Sequence, residues 1–317
     1  MTFSNKNVLI TGGAGFIGAN FTYKFLDFGY NVHLIEKKES NLWRLKDIRE
    51  RIGLHYVDLK NYNKLESLIT KLKPLIILHF AALGTYPRKQ QEVKEMIETN
   101  LLGTINLVDA CSRINFECFI NTGSSSEYGI KDKPMKESDL LEPDNPYGIT
   151  KAAGTMYCQY MAKKLNLPIV TMRLFAVYGY FEEQARLIPT IIKACLKNSG
   201  LKLSSSNSVR DFIFIEDLIS AYLKAINKIK KIKGEIFNVG SGKQNTIDEV
   251  VKVIKKITYS TTKPQYGQVE LAQYEPKNWV ADISKIKNRL GWQPKYDLEK
   301  GLKKNVDWIK KNLSFYK

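Results

Sequence analysis

Thr11-Gly12-Gly13-Ala14-Gly15-Phe16-Ile17-Gly18 follows the β-branched run Val8–Thr11 directly and opens an apolar-periodic stretch that reaches Phe28. A strand that turns on glycines into a helix aims unpaired backbone N–H groups and the positive end of a helix dipole at one spot, where a pyrophosphate fits. Side chains would block that approach. Gly12, Gly15 and Gly18 satisfy Gly-x-x-Gly-x-x-Gly, and Gly13 begins a Gly-x-Gly-x-x-Gly reading. Glycines at this spacing also describe an ordinary tight turn, so their meaning rests on the surrounding chain.

That chain alternates. Val32–Glu36, Leu54–Leu59, Leu75–Ala82, Cys118–Thr122 and Ile169–Phe175 read as further strands, and Phe16–Phe28, Tyr62–Lys71, Glu92–Ile114 and Pro146–Leu165 as helices between them. Strand and helix in turn at this spacing predict an α/β fold, a doubly wound parallel sheet covered on both faces. After Tyr178 the pattern loosens. A helix near Ile188–Lys197, strands near Phe212–Ile215 and Ile236–Val239, and helices at Ile247–Lys256, Ser284–Leu290 and Leu298–Asn312 suggest a smaller α/β cap. The expected division is a dinucleotide-binding Rossmann domain over 1–177, joined by segments returning near 212–240, with the remainder of 178–317 forming the cap.

Within that scheme Glu36 ends the second strand, 18 positions past Gly18, where a carboxylate accepts hydrogen bonds from ribose hydroxyls and repels a 2′-phosphate. This favours NAD. Lys37 and Lys38 follow at once and can neutralise such a phosphate, which leaves NADP open. Asp58 and Leu59 follow the third strand and border the adenine position, although Asp58 reads almost as well as a turn residue. His79-Phe80-Ala81-Ala82 closes the fourth, with Ala81 and Ala82 small enough for a cofactor to come close and His79 better read as a packed imidazole than as a catalyst.

Tyr147 and Lys151 stand four apart near the start of a helix that Asp144 or Asn145 can cap and Pro146 can begin, so both project from one face. A phenol ionises near ~10, and a neighbouring ammonium with a helix N-terminus stabilises its phenolate, making it a usable base near neutrality. Ser124, in the serine-rich end of the fifth strand, can hydrogen-bond the same alcohol.

With 317 residues, 44% hydrophobic and 26% charged, the chain can bury a large core. Its apolar runs fall short of the roughly 20 residues of a membrane span, and the polar Met1 to Asn7 does not resemble a secretory leader, so a soluble cytoplasmic protein is expected. Cys111, Cys118, Cys158 and Cys195 lack Cys-x-x-Cys spacing and have three histidines to join them, so no metal is expected. A net charge of +17 is dispersed along the chain. The densest stretch, Lys224–Lys233, reads as a solvated helix face and a turn, and no specific nucleic-acid partner is expected.

Taken together, Thr11–Gly18, Asp58-Leu59, His79–Ala82, Asn100 in Thr99-Asn100-Leu101-Leu102-Gly103-Thr104, Ser124, Tyr147-x-x-x-Lys151, Arg173-Leu174-Phe175, Arg210-Asp211-Phe212, Asn238-Val239-Gly240 and Leu290-Gly291-Trp292 carry a resemblance. The sequence resembles, along essentially its whole length, the nucleotide-sugar epimerases and dehydratases of the extended short-chain dehydrogenase/reductase family. The resemblance implies that Tyr147 deprotonates a sugar 4-hydroxyl as hydride passes from C4 to NAD, with Lys151 on the nicotinamide ribose and Ser124, helped by Ser125, orienting the alcohol. It implies cofactor contacts from Gly12, Gly15, Phe16, Ile17, Gly18, Glu36, Asp58, Leu59, Ala81, Ala82 and Asn100. Arg210 and Arg186 would meet the substrate diphosphate. Relatives pair two helices across a two-fold axis, which implies a homodimer through Glu92–Ile114 and Pro146–Leu165.

Two departures bear on the reaction. Dehydrating members carry an acidic pair just after the catalytic serine or threonine, where this chain has Ser125-Ser126; Glu127 comes one residue late, and on an extended strand that slip turns it to the opposite face. Only a strand ending before Glu127 would turn it back. Ala176 also replaces an asparagine that contacts substrate in relatives. A 4-epimerase is favoured, a 4-keto-sugar reductase is the next reading and a 4,6-dehydratase the third. A catalytically silent cofactor- or RNA-binding relative is the reading from another class, and Ser124, Tyr147 and Lys151 together argue against it.

Overall fold

The computed structural model of the chain describes residues 6–84, 92–269 and 276–316. Two compact units emerge, the first built from Met1–Gly129, Leu140–Leu174 and Tyr222–Phe237, the second from Ile130–Asp139, Phe175–Ala221 and Asn238–Lys317.

In the first unit β1 (Asn7–Thr11), α1 (Phe16–Asp27), β2 (Asn31–Glu36) and β3 (Gly53–Tyr56) are followed by α2 (Tyr62–Leu72) and β4 (Ile76–His79). Next come α3 (Val93–Met96), a π-helical stretch Ile97–Leu102, α4 (Gly103–Cys111), β5 (Cys118–Ser124), α5 (Pro146–Lys164) and β6 (Ile169–Leu174). With the later β11 (Ile236–Val239), the strands form a seven-stranded sheet in the order β11-β6-β5-β4-β1-β2-β3. The pairings among β1 to β6 are all parallel. Every residue of β4, β5 and β6 is buried, as strands covered by helices on both faces must be. Strand order reverses between β1 and β4, whose carboxyl ends meet at Thr11 and His79, and crevices in such sheets open at this reversal.

Some boundaries differ from those expected. The strand foreseen over Leu75–Ala82 stops at His79, because Phe80–Leu83 leaves the sheet to wall the crevice. The strand foreseen over Leu54–Leu59 lies at Gly53–Tyr56, and β5 continues past Thr122 to Ser124. The expected single helix over Glu92–Ile114 contains the π-helical turn, which swings Asn100 inward. A 3-10 helix at Trp43–Arg51 was not foreseen: it buries Arg44, Leu45 and Ile48 although its residues are mostly polar.

The second unit contains β7 (Ala176–Tyr178), α6 (Leu187–Lys197), β8 (Leu201–Lys202), β9 (Val209–Arg210), β10 (Phe212–Phe214) and the first half of α7 (Ile215–Lys228). After β11 it adds β12 (Asn245–Thr246), α8 (Ile247–Thr258), β13 (Pro264–Gln265), α9 (Ser284–Leu290) and α10 (Leu298–Lys311). Asp211 organises its centre. Its buried carboxylate accepts from Ser241 N and Oγ at 2.6 Å, and from Gly242 N and Ala281 N at 3.0 Å, so four donors offset the cost of its burial. Trp292 plugs the same unit and donates its indole N–H to Ser220 Oγ at 2.8 Å.

Among the described residues no helix is long and apolar enough to cross a membrane, and no three histidine, cysteine or acidic side chains gather as metal ligands. The four cysteines are buried and unpaired, and burial pushes the Cys158 thiol up to about 12, so it stays protonated and inert.

Candidate cofactor and catalytic site

The glycine loop owes its shape to two close approaches. Gly12 adopts φ +69°, and a Cβ on it would lie 2.7 Å from the Ala81 backbone nitrogen, so only glycine lets β1 turn against the Phe80–Leu83 wall. A Cβ on Gly18 would be driven into the Gly12 carbonyl oxygen, which ties the third glycine to helix packing. Gly15 is exposed and caps α1 without a side-chain hydrogen bond, so no cap side chain takes up the first N–H groups of that helix.

Beside this loop lies a cavity of about 360 Å³ lined by Gly12, Gly15, Glu36, Asp58, Leu59, Ala81 and Ala82. These predicted cofactor residues, from separate strand ends, therefore meet in one place. Phe16 and Ile17 form the first turn of α1, and Gly18 packs beneath the loop; these three do not line the cavity. Ser40, Asn41 and Arg44 line it as well, and sequence reasoning missed them. They lie in a polar, aperiodic stretch whose only signal is its place after Glu36. Arg44 is buried and donates to Ala14 O at 3.2 Å.

Glu36 holds the rim. Its Oε1 accepts from Ala14 N at 2.7 Å and its Oε2 from Ser40 Oγ at 2.9 Å. Burial pushes its carboxyl above the usual range, against the pull of those donors. Lys37 borders the cavity but lies 3.3 Å from Glu95 Oε1, a partner that reduces its value as a phosphate ligand. Asp58 lines the cavity and accepts from Lys60 N at 2.9 Å in a turn.

His79 is a packed imidazole. Its Nδ1 lies 2.6 Å from Thr11 Oγ1 and its Nε2 lies 2.9 Å from Thr104 Oγ1. Thr104 spends its own proton on Asn100 O, so it must accept from Nε2–H, and Nδ1 then accepts the Thr11 hydroxyl proton. Burial, helped by the Lys151 charge, pushes the ring down to about 3, so it is neutral throughout the physiological range. Asn100 lies outside the cavity: its Oδ1 accepts from Leu83 N at 2.7 Å and its Nδ2 donates to Leu83 O at 2.9 Å, so it clamps the wall instead of lining it.

The second cluster sits at the ends of β5 and α5. Asn145 caps α5 through Gly148 N at 2.8 Å, Pro146 follows, and Tyr147 lies half-buried in the first turn. A Cβ on Gly148 would strike Ser126 O, so glycine there lets the helix start against the turn that follows Ser124. Lys151, one turn on, is buried; desolvation pushes its ammonium below the usual range while the Glu127 charge pulls it back. Ser124 is buried at the strand end, its Oγ accepting from Ser126 N at 3.1 Å, and Ser125 is buried beside it.

At Glu127 the exception allowed for in the sequence holds. The strand ends at Ser124 and Ser125–Glu127 coils into a 3-10 turn, so strand alternation does not govern its direction. The turn buries it completely. Its Oε2 accepts from Arg173 Nε at 2.7 Å, and its Oε1 accepts from Ser124 N at 2.8 Å and Thr155 Oγ1 at 3.0 Å. Three donors thus engage this buried carboxylate.

The predicted diphosphate ligands belong to the second unit. Arg186 precedes α6, and Arg210 lies in β9 with its guanidinium 5.9 Å from the Trp279 ring centre.

The chain is 27% identical over 339 residues to human dTDP-D-glucose 4,6-dehydratase, covering 98% of this chain and 92% of that one. Among solved structures it matches the UDP-glucose 4-epimerase of Thermotoga maritima, with a TM-score of 0.88 and 27% identity over 97% of this chain and 99% of that chain. It also matches the UDP-glucuronic acid 4-epimerase of Bacillus cereus, solved with UDP-glucuronic acid and NAD, at a TM-score of 0.86 and 28% identity over 96% and 99% of the two chains. The model of the NAD dependent epimerase/dehydratase family matches residues 8–240. The open helix start, the acidic rim and the alanine wall fit the cofactor that this match names, and the chain belongs to the NAD dependent epimerase/dehydratase family.

Proposed function

We propose that this protein is a nucleotide-sugar 4-epimerase. The observation that carries the reading is the set around α5: a half-buried Tyr147, a buried Lys151 one turn later and Ser124 on the adjoining strand end, with the nearby carboxylate, Glu127, committed to Arg173. Bound NAD supplies a hydride acceptor and donor at C4 of the sugar. Tyr147 takes the C4 hydroxyl proton and later returns it, while the Lys151 ammonium and the start of α5 stabilise the phenolate between the two events. Ser124 orients the alcohol with Ser125 beside it, and Arg186 and Arg210 hold the diphosphate. Elimination of a C6 hydroxyl needs an acid that Ser125-Ser126 cannot provide.

Glu36 on the ribose side favours NAD over NADP. Exposed apolar residues on α3, the π-helical turn and α5 support a homodimer, and we place the enzyme in the cytoplasm.

The test is to identify the copurifying dinucleotide, then incubate the protein with UDP-glucose, UDP-glucuronate, dTDP-glucose and 4-keto derivatives of such sugars in deuterated water and follow the products by NMR. A C4-inverted product without net NADH formation is expected. Net consumption of NADH or NADPH with a 4-keto sugar would make it a reductase, and a 6-deoxy-4-keto product would make it a dehydratase.

A further inference from the structure

The buried pair Glu127–Arg173 lies beneath the catalytic cluster and takes no part in the chemistry assigned above. The two side chains are 0% and 2% exposed, with Oε2 to Nε at 2.7 Å. Burying two charges costs several kcal/mol per ion before their attraction is counted, and well-packed apolar residues would often serve stability equally well. The pair therefore calls for a reason beyond stability.

Its connections supply one. Through Oε1, Glu127 fixes the backbone N–H of Ser124 and the hydroxyl of Thr155, which stands one helical turn after Lys151 on α5. It thus joins the strand end that carries the serine to the helix that carries the tyrosine and lysine. Gly123 belongs to the same arrangement, since a Cβ there would lie 2.5 Å from Glu127 Oε1. Burial pushes the Glu127 carboxyl upward, while the Ser124 N–H and the Arg173 guanidinium, which can only donate, pull the other way by favouring the ionised form. The same carboxylate is the charge that most opposes the desolvation of Lys151.

We propose that Glu127 is a positioning residue for the C4 redox site, fixing Ser124 relative to α5 and placing a buried negative charge against that helix one turn from Lys151. Arg173 holds that carboxylate in its ionised form. The proposal rests on the roles given above to Tyr147 and Lys151.

The test is Glu127→Gln, together with Glu127→Gln/Arg173→Met, in which neither buried charge is left unpaired so that folding is retained. Two pH profiles are measured on each: the dissociation constant for NAD by calorimetry, and turnover of whichever nucleotide sugar the wild type converts. Loss of the Lys151 proton sets the alkaline limb of both, and in both variants that limb is expected to move down by about one pH unit or more. An unmoved limb with a merely lower melting temperature would overturn the proposal, as would a double variant unable to fold, since the pair would then be structural alone. The NAD profile needs no turnover. A shifted binding limb in a protein inactive on every nucleotide sugar would leave Glu127 its role and remove the epimerase reading instead.

Discussion

Asn100 donates through Nδ2 to Thr150 Oγ1 at 3.1 Å while the same side chain holds both backbone groups of Leu83. One amide in the π-helical turn thus couples the cofactor wall to the residue just before Lys151. A π turn inserts an extra residue into the helical ladder, and such turns recur at functional sites because they redirect a side chain. Asn100→Leu keeps the branched shape and heavy-atom count and leaves Leu83 N and O without this partner. Stability is expected to fall by about 1–3 kcal/mol, with NAD affinity falling in step, which denaturant unfolding and calorimetry would show. Unchanged NAD affinity would mean that the wall stands without its clamp.

Replacing Glu36 addresses the choice of dinucleotide. Glu36→Ala removes two accepted hydrogen bonds from the loop and the repulsion toward a 2′-phosphate. Hydrogen bonds to a charged group contribute about 1.5–3 kcal/mol, so NAD should bind about 10- to 100-fold more weakly. NADP, relieved of the repulsion, should lose far less, and a ratio of the two dissociation constants unaltered by the substitution would count against Glu36 as the selector.

The sheet was legible because it rests on periodic patterns: most of its strands announce themselves as short, buried apolar runs, β3 (Gly53–Tyr56) being the partly exposed exception, and glycines mark the turn after β1. The cofactor cavity was half legible. Glu36, Asp58 and Ala81 stand at strand ends, which fixes them once the sheet is drawn, whereas Ser40 and Asn41 lie in a loop and Arg44 in a mostly polar 3-10 helix, whose paths no periodicity encodes. The direction of Glu127 stayed open for a related reason. Its direction depends on where β5 stops, and Ser124 caps a 3-10 turn there in a way that Ser124-Ser125-Ser126 does not reveal. Asn100 required the π turn, a tertiary compromise within a segment that reads as plain helix.

Acid should weaken the folded chain through His79. Its folded-state value is pushed down to about 3, whereas an unfolded histidine titrates near ~6.5. Within that interval the unfolded chain binds a proton that the folded chain refuses. The stability due to neutral His79 is complete above the upper value and is lost as pH falls through the interval toward the lower, at up to about 1.4 kcal/mol per pH unit. His33 and His55, lowered chiefly by burial, act in the same direction over a narrower range. His79→Asn should lower stability at pH 7 yet flatten its fall between about pH 6 and 4. Denaturant midpoints measured at each pH for both proteins isolate the difference, and parallel curves would show that the imidazole is not the group responsible.

Assembly can be tested on one helix face. Ile149, Met156 and Tyr160 follow one another by seven and four residues along α5, and each is more than half exposed, at 54%, 56% and 51%. Val93 and Ile97, one turn apart, add further exposed apolar surface at the head of the α3 segment. Single exposed apolar residues are common, but a row at helical spacing is a surface that a second copy can cover. Under a two-fold axis such a row meets itself, so one charge placed on it appears twice in the interface and repels its own image. Met156→Glu with Tyr160→Glu should therefore convert a dimer at micromolar concentration into a monomer by light scattering while leaving the far-ultraviolet circular dichroism unchanged. A doubly substituted chain that still weighs as a dimer would place the interface elsewhere, because four buried like charges could not be accommodated in a closed apolar seam.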